Sequence, residues 1–375
     1  QGVQFQIPGQ ASASVRGDDD INQSSGKNMT DHLAKNTLLT LCCALLFGSM
    51  KAEAYGLLFY LFGAEAKICV TAVDADGKPV ENALTLVTYR QYRWARVNNV
   101  EKLTDGNGYA ELVGRCDELD ADVVINKDGY YETCECRSFE RIGGDIKVQG
   151  GKWQPYGAHR TYVLKEIRNP VPMVVFTNVT IHPSALEKEF GYDLEYGDFV
   201  KPYGDGEVAD FYVKFEWDEN DKRTIKKMTM TFPNALDGAY ICQYYKPSQL
   251  RSPYRADEEA QYLKEFVFSK TRKRDPKEGF WRVVSEEQLA KDQGLILRTR
   301  TKVDANGTLV SAHYSKIYGQ FDIDGQTPKT MGIVGGITTF FNPVENDTNL
   351  EWDGKAHEGL KKGKHKLFEG KIHVY

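Results

Sequence analysis

The sequence is short of the residues that catalysis and metal binding draw on. Among 375 residues there are seven histidines and seven cysteines. His32 falls in an N-terminal leader and His357, His365 and His373 in the C-terminal tail. The other three, His159, His182 and His313, stand in separate segments without metal-ligand spacing. No G-x-S-x-G, H-E-x-x-H, phosphate-loop or G-x-G-x-x-G pattern occurs in a fitting context. An excess of one charge is also lacking: the net charge is −5, which leaves no sequence-wide footprint for nucleic acid. Long hydrophobic runs are missing too. The run TLLTLCCALLF (37–47) has eleven residues, where a membrane helix needs about 20. These absences point away from catalytic, cofactor and metal sites and from nucleic-acid partners.

What is present describes a globular chain, 41% hydrophobic and 27% charged. Aromatics reach 12%, with 21 tyrosines and 18 phenylalanines, and together with runs of Val, Ile and Thr they favour strands. The expected fold is mainly β.

Residues 1–28 are rich in Gln, Ser, Gly and Asp and lack hydrophobic periodicity, so they read as disorder or as sequence upstream of a true start. Residues 29–54 follow the order of an export signal: Met29, a polar stretch with Lys35, the apolar run, then Ala52-Glu53-Ala54. The apolar leader at 55–66 contains YGLLFYLF and a second A-x-A at Ala64–Ala66, so cleavage after Ala54 or Ala66 and an uncleaved anchor remain alternatives. The residues before Cys42-Cys43 are not the small residue of a lipoprotein signal. Export places the protein in the periplasm, on the cell surface or outside the cell, with no membrane span after cleavage. Cys69, Cys116, Cys134, Cys136 and Cys242 then remain. Disulfides are allowed there, and Cys116 with Cys134 or Cys136 is the expected bridge, while the odd count leaves a thiol over.

Short alternating segments begin at KICVTAVD (67–74) and recur at ALTLVTYRQY (83–92), YAELV (109–113), ADVVIN (121–126) and TYVLKEI (161–167). Asp-Gly and Asn-Gly turns separate them, as expected of a sandwich. The succession VDADGKPVENA, TDGNGYAEL, VVINKDGYYE and YVLKEI resembles the carboxypeptidase regulatory-like (prealbumin-like) domain family over residues 67–168. That resemblance implies a seven-stranded, Ig-like β-sandwich acting as an accessory module, with no catalytic residues of its own. Residues 89–102 read as an insertion whose Arg93 and Trp94 offer a basic-aromatic loop.

Residues 169–173 form a proline linker to a second β-rich, sandwich-like domain at 174–353, and residues 354–375 form a basic tail. Hairpins are expected at 209–234 and 294–323. One or two short helices are expected, at SEEQLAKDQG (285–294) and at the start of 256–271. NPVPM and FFNPVENDTNLEWD resemble segments of exported bacterial proteins that also carry the first domain, which brings no activity with it. DADG and DIDG read as turns rather than calcium loops. Acids crowd residues 195–210, and Tyr192, Tyr196 and Tyr203 offer aromatic faces for a ligand.

The expectation is a non-enzymatic binding or structural module of the cell envelope, its partner a glycan or envelope protein. The alternatives are a hydrolase of envelope polymers using the acids of 195–210, and a subunit of a surface assembly.

Overall fold

The computed structural model describes residues 63–91, 96–117, 120–138 and 147–356, which lie within one compact unit; for residues 96, 120, 136–138, 147 and 335 it describes the backbone alone. The architecture is almost wholly β. The described residues contain one helical turn, a 3-10 turn at Pro328–Thr330, and no helix long and apolar enough to cross a membrane.

The first nine strands make two sheets. Strands β1 (Ala64–Val73), β4 (Tyr109–Cys116), β7 (Lys147–Gln149), β8 (Lys152–Gln154) and β9 (Ala158–Val163) form one sheet, in which β1 pairs antiparallel with β4 and parallel with β9. Strands β3 (Arg96–Leu103), β2 (Leu84–Gln91), β5 (Asp120–Asn126) and β6 (Thr133–Ser138) form the other, in that order. Alternation does the sorting: Ala66, Ile68, Val70 and Ala72 of β1 are buried, while Lys67 and Thr71 between them are partly exposed. Tyr89 of β2 crosses the interior to donate its hydroxyl hydrogen bond to the Leu112 carbonyl of β4 at 2.7 Å, joining the sheets into a sandwich. The stretch read as a loop insertion is strand over most of its described residues, because β3 (Arg96–Leu103) runs antiparallel along β2. Nine strands are thus described where the family resemblance implies seven.

One turn recurs. Asp74, Asp105 and Asp304 each accept two backbone N–H bonds through Oδ1, from residues two and four further on. Gly77, Gly108 and Gly307 follow at φ +79°, +70° and +80°, the left-handed region that glycine occupies without a Cβ penalty. DADG is therefore a turn whose aspartate is occupied by its own backbone. DIDG is not a turn of this kind: Asp322 pairs with Lys270, and Asp324 with Lys226 and Arg272.

The remaining strands make a second sandwich. One sheet runs β10 (Val174–Ile181), β21 (Gly332–Phe341), β19 (Leu309–Tyr318), β18 (Gln293–Val303) and β15 (Gly238–Gln243), with β20 (Ile323–Asp324) beside β21. The other runs β12 (Asp198–Phe199), β11 (Glu189–Asp193), β13 (Phe211–Asn220), β14 (Arg223–Thr231), β16 (Glu265–Arg274) and β17 (Trp281–Glu287). Both expected hairpins are present, as β13–β14 and β18–β19. The expected helices are not. Ser285–Glu287 continues β17, where Glu286 faces Lys270 at 3.0 Å, and Leu289 turns into the core. Pairing with β16 and an apolar anchor outweigh weak helix propensity.

The sheet containing β18 is buried on both faces. Leu295, Leu297 and Phe341 join Phe190, Phe215 and Met230 of the opposing sheet. Ile296, Tyr318 and Phe340 point the other way, into a second cluster with Tyr244, Leu350 and Trp352. That second face brings the two sandwiches together, through segments 244–256 and 342–353. Gly294 shows how closely segment 244–256 packs on β18: a Cβ there would lie 1.9 Å from the Tyr244 ring.

Candidate functional site

Segment 245–252 leaves β15 and runs against the first sandwich. The Cys134 and Gln249 amides donate to the carbonyls of Pro247 and Glu132 at 2.6 and 2.9 Å, and the Tyr245 hydroxyl accepts the Val163 amide at 2.9 Å. From the opposite side comes the strap NPVENDTNLEWD. Its polar side chains bond to backbone: Asn342 Nδ2 donates to the Asn349 carbonyl, and Asn349 Oδ1 accepts the Glu351 amide. These bonds fix Glu351 and Trp352 at the junction.

Between the two segments lies a cavity of about 370 Å³, within the range of small-molecule sites, ~300–1,000 Å³. Its floor is aromatic. Tyr318, Phe340 and Trp352 form a row in which successive ring centroids lie 4.8 and 5.8 Å apart, and Tyr244 backs Tyr318 at 4.6 Å. Tyr131 completes the floor, with its hydroxyl donating to buried Glu351 at 2.9 Å. Glu351 also accepts the Arg168 and Asn169 amides at 2.7 and 2.9 Å, so this one carboxylate ties the inter-sandwich connection to the strap. The rim carries Asn126, Glu132, Gln249 and Asp353, a set of amide and carboxylate groups. Aromatic rings and polar groups lining one cavity suit a ligand with apolar faces and hydroxyl edges.

Three cations crowd beneath the floor. Lys316 is 1% exposed and donates to Ser252 Oγ at 3.1 Å and to the Leu350 carbonyl, with its ammonium 4.6 Å from the Phe340 ring centre. Lys165 reaches across from the first sandwich to the carbonyls of Leu250, Arg251 and Ser252. The Arg251 guanidinium lies 5.3 Å from the Tyr318 ring centre. Burial, aided by the charge of Lys316, lowers Lys165 to about 8, and burial likewise lowers Lys316 and Arg251. The Cys242 thiol nearby is pushed up to about 11 by burial, against the pull of both lysines.

The tyrosines singled out in the sequence are placed elsewhere. Tyr192 is a core residue, 2% exposed and stacked on Phe211 at 5.3 Å, because its position in β11 faces inward. Tyr203 is at the surface, edge-on to Phe190 at 4.8 Å with the Lys188 ammonium over its ring. Tyr196 is partly exposed and hydrogen-bonded to Glu207, which raises its pKa. Arg93 and Trp94 lie outside the described residues, as does the Cys136 side chain. Cys116 ends β4 in one sheet and Cys134 lies in β6 of the other.

The acids near 195–210 converge on a partner from another hairpin. Arg300 donates to Asp210 at 2.9 and 3.0 Å, to Asp193 at 2.9 Å and to Glu195 at 2.8 Å. A glycosidase needs two carboxylates facing each other across a sugar; here three of them surround one guanidinium.

No family model matches the chain, and no curated protein matches it. Solved structures give remote likenesses. A 3-chlorocatechol 1,2-dioxygenase from Rhodococcus opacus 1CP is 14% identical over 28% of this chain and 60% of its own, with a TM-score of 0.22. A DUF3823 family protein from Parabacteroides merdae ATCC 43184 is 8% identical over 67% of this chain and 96% of its own, with a TM-score of 0.17. A streptococcal ancillary pilin is 12% identical over 62% of this chain and 53% of its own, with a TM-score of 0.19. The chain thus spans less than two thirds of the dioxygenase and of the pilin.

Proposed function

We propose that the chain is an exported, non-enzymatic binding module of the cell envelope, which holds a saccharide in the cavity between its two sandwiches. In this reading residues 67–168 are a carboxypeptidase regulatory-like accessory domain and residues 174–353 a second sandwich domain that supplies most of the floor. The signal-like residues 29–54 support export. The observation that carries the reading is the row Tyr318–Phe340–Trp352 under a rim of Asn126, Glu132, Gln249 and Asp353. Sugar rings offer C–H faces to aromatics and hydroxyls to amides and carboxylates, and this cavity is lined by both kinds of group. Neutralisation of Asp193, Glu195 and Asp210 by Arg300 speaks against the hydrolase alternative.

The test is retention of envelope polysaccharides and solubilised envelope proteins by the immobilised full-length protein, with bound material checked for cleavage. Retention of an intact polysaccharide is expected. A shortened product would replace this reading with the hydrolase. Capture of one protein and no polysaccharide would replace it with the surface-assembly subunit.

A further inference from the structure

The charges beneath the cavity do not balance. Lys165 and Lys316 both donate to segment 250–252, which itself contributes Arg251 and whose Leu250 lines the floor. The buried carboxylate on this side is Glu351, held by the Tyr131 hydroxyl and two backbone amides; its charge acts on Lys316, so one carboxylate faces three cations. Cys242, the other acidic group nearby, stays protonated at neutral pH. Glu132 and Asp353 are acids of the rim, at the mouth rather than the floor. Arg251 Nε is buried without a hydrogen-bond partner among the described residues. Buried charges are normally paired, since the desolvation of an unmatched ion costs several kcal/mol. A net positive floor under an open cavity is the arrangement that an anionic group entering from solvent would relieve.

We infer that the saccharide carries a carboxylate, directed at the floor toward Lys316 and the cations behind it, with its sugar rings against Phe340 and Trp352. This rests on the saccharide reading above and adds the ligand class: an acidic sugar of the uronic type rather than a neutral one. The rim acids fit that polarity. They accept hydroxyl hydrogen bonds from the outer part of the ligand, and they repel a carboxylate presented at the mouth, so the acidic group binds only at full depth.

The experiment is calorimetric titration of the full-length protein with galacturonate oligosaccharides and with the matching galactose oligosaccharides, which differ only at C6 of each sugar unit. The acidic series is expected to bind about tenfold tighter or more, the worth of one charge-assisted hydrogen bond. Equal affinity, or preference for the neutral series, would overturn the acidic inference and leave the saccharide reading standing. Failure of both series, together with no polysaccharide retained, would overturn the saccharide reading itself. Lys316→Met tests the placement: it should remove the preference, read as the ratio of the affinities for the acidic and the neutral series. A Lys316→Met protein that kept its preference would overturn the assignment to the floor. The wild-type comparison stands whether or not that variant folds.

Discussion

Replacing Arg300 with methionine lowers the unfolding free energy by about 3–5 kcal/mol, the usual cost of removing one partner from a buried ion cluster. The side chain is 15% exposed, and Asp193 and Asp210 are 1% and 0% exposed. With the guanidinium gone, two carboxylates stay inside without a counter-charge, and their remaining bonds are backbone amides such as that of Leu194. Burial alone would lower the Arg300 pKa, but the three carboxylates reverse this and hold it above the ordinary arginine value. Its backbone sits at φ +53°, beside the register shift between Thr299 and Lys302, so the chain accepts local strain to aim this side chain. The melting temperature should fall by about 5–10 °C. Lys302→Met is the control: its pair with Glu345 is exposed on both sides, and its loss should cost less than about 1 kcal/mol. Equal effects of the two substitutions would show that the Arg300 cluster is not structural.

Stability rises as pH increases from about 8 to about 10, by about 2 kcal/mol from Lys165 alone. The sign follows from proton counts. Burial, with the charge of Lys316 beside it, holds Lys165 at about 8 in the fold, against the ordinary value of 10.5 when unfolded. Below that window the lysine is charged in both states, and the fold bears the whole desolvation cost. Within it the unfolded chain binds more protons, so unfolding becomes harder with each step in pH. Lys316 acts in the same direction, since burial lowers it as well. The buried Cys242 thiol, raised to about 11, and the buried tyrosines set the upper limit, the thiol first because it ionises at lower pH in the unfolded chain. Burial raises Tyr131, Tyr162 and Tyr192 above their ordinary 10.0, so stability is lost once the unfolded chain ionises them, above about pH 10. Urea unfolding across this range should therefore give a maximum near its alkaline end. A curve that only falls above neutrality would contradict the buried placement of the lysines.

Much of the fold was legible in the sequence because its cues are local. The alternation of β1, the hairpin β13–β14 and the turns at Asp74, Asp105 and Asp304 all depend on residues within a few positions of each other. Ser285–Glu287 misled because acidic residues after a serine suit a helix start, whereas the deciding partner, Lys270, comes from another strand. Tyr192 misled for a related reason: a tyrosine-rich segment looks alike whether its rings face solvent or Phe211. The acids near 195–210 were visible but their role was not, since Arg300 lies 90 residues beyond Asp210. The cavity was the least legible feature. Lys165, Leu250, Lys316 and Trp352 come from four distant segments, and only the docking of one sandwich on the other assembles them. One signal was available: the density of Asn, Asp and Glu in NPVENDTNLEWD marks a strap that needs many side-chain bonds to hold one shape.

The most direct test of saccharide binding between the sandwiches is to follow the tryptophan indole resonances of the full-length protein during titration with the retained polysaccharide fragment. Trp352 lines the cavity, while Trp217 packs against the inner core of the second sandwich and Trp281 lies on exposed β17. The expected result is a saturable shift of Trp352 with Trp217 and Trp281 unmoved, lost in Trp352→Ala along with binding. Saturable binding that leaves Trp352 unmoved would place the ligand elsewhere and contradict the site.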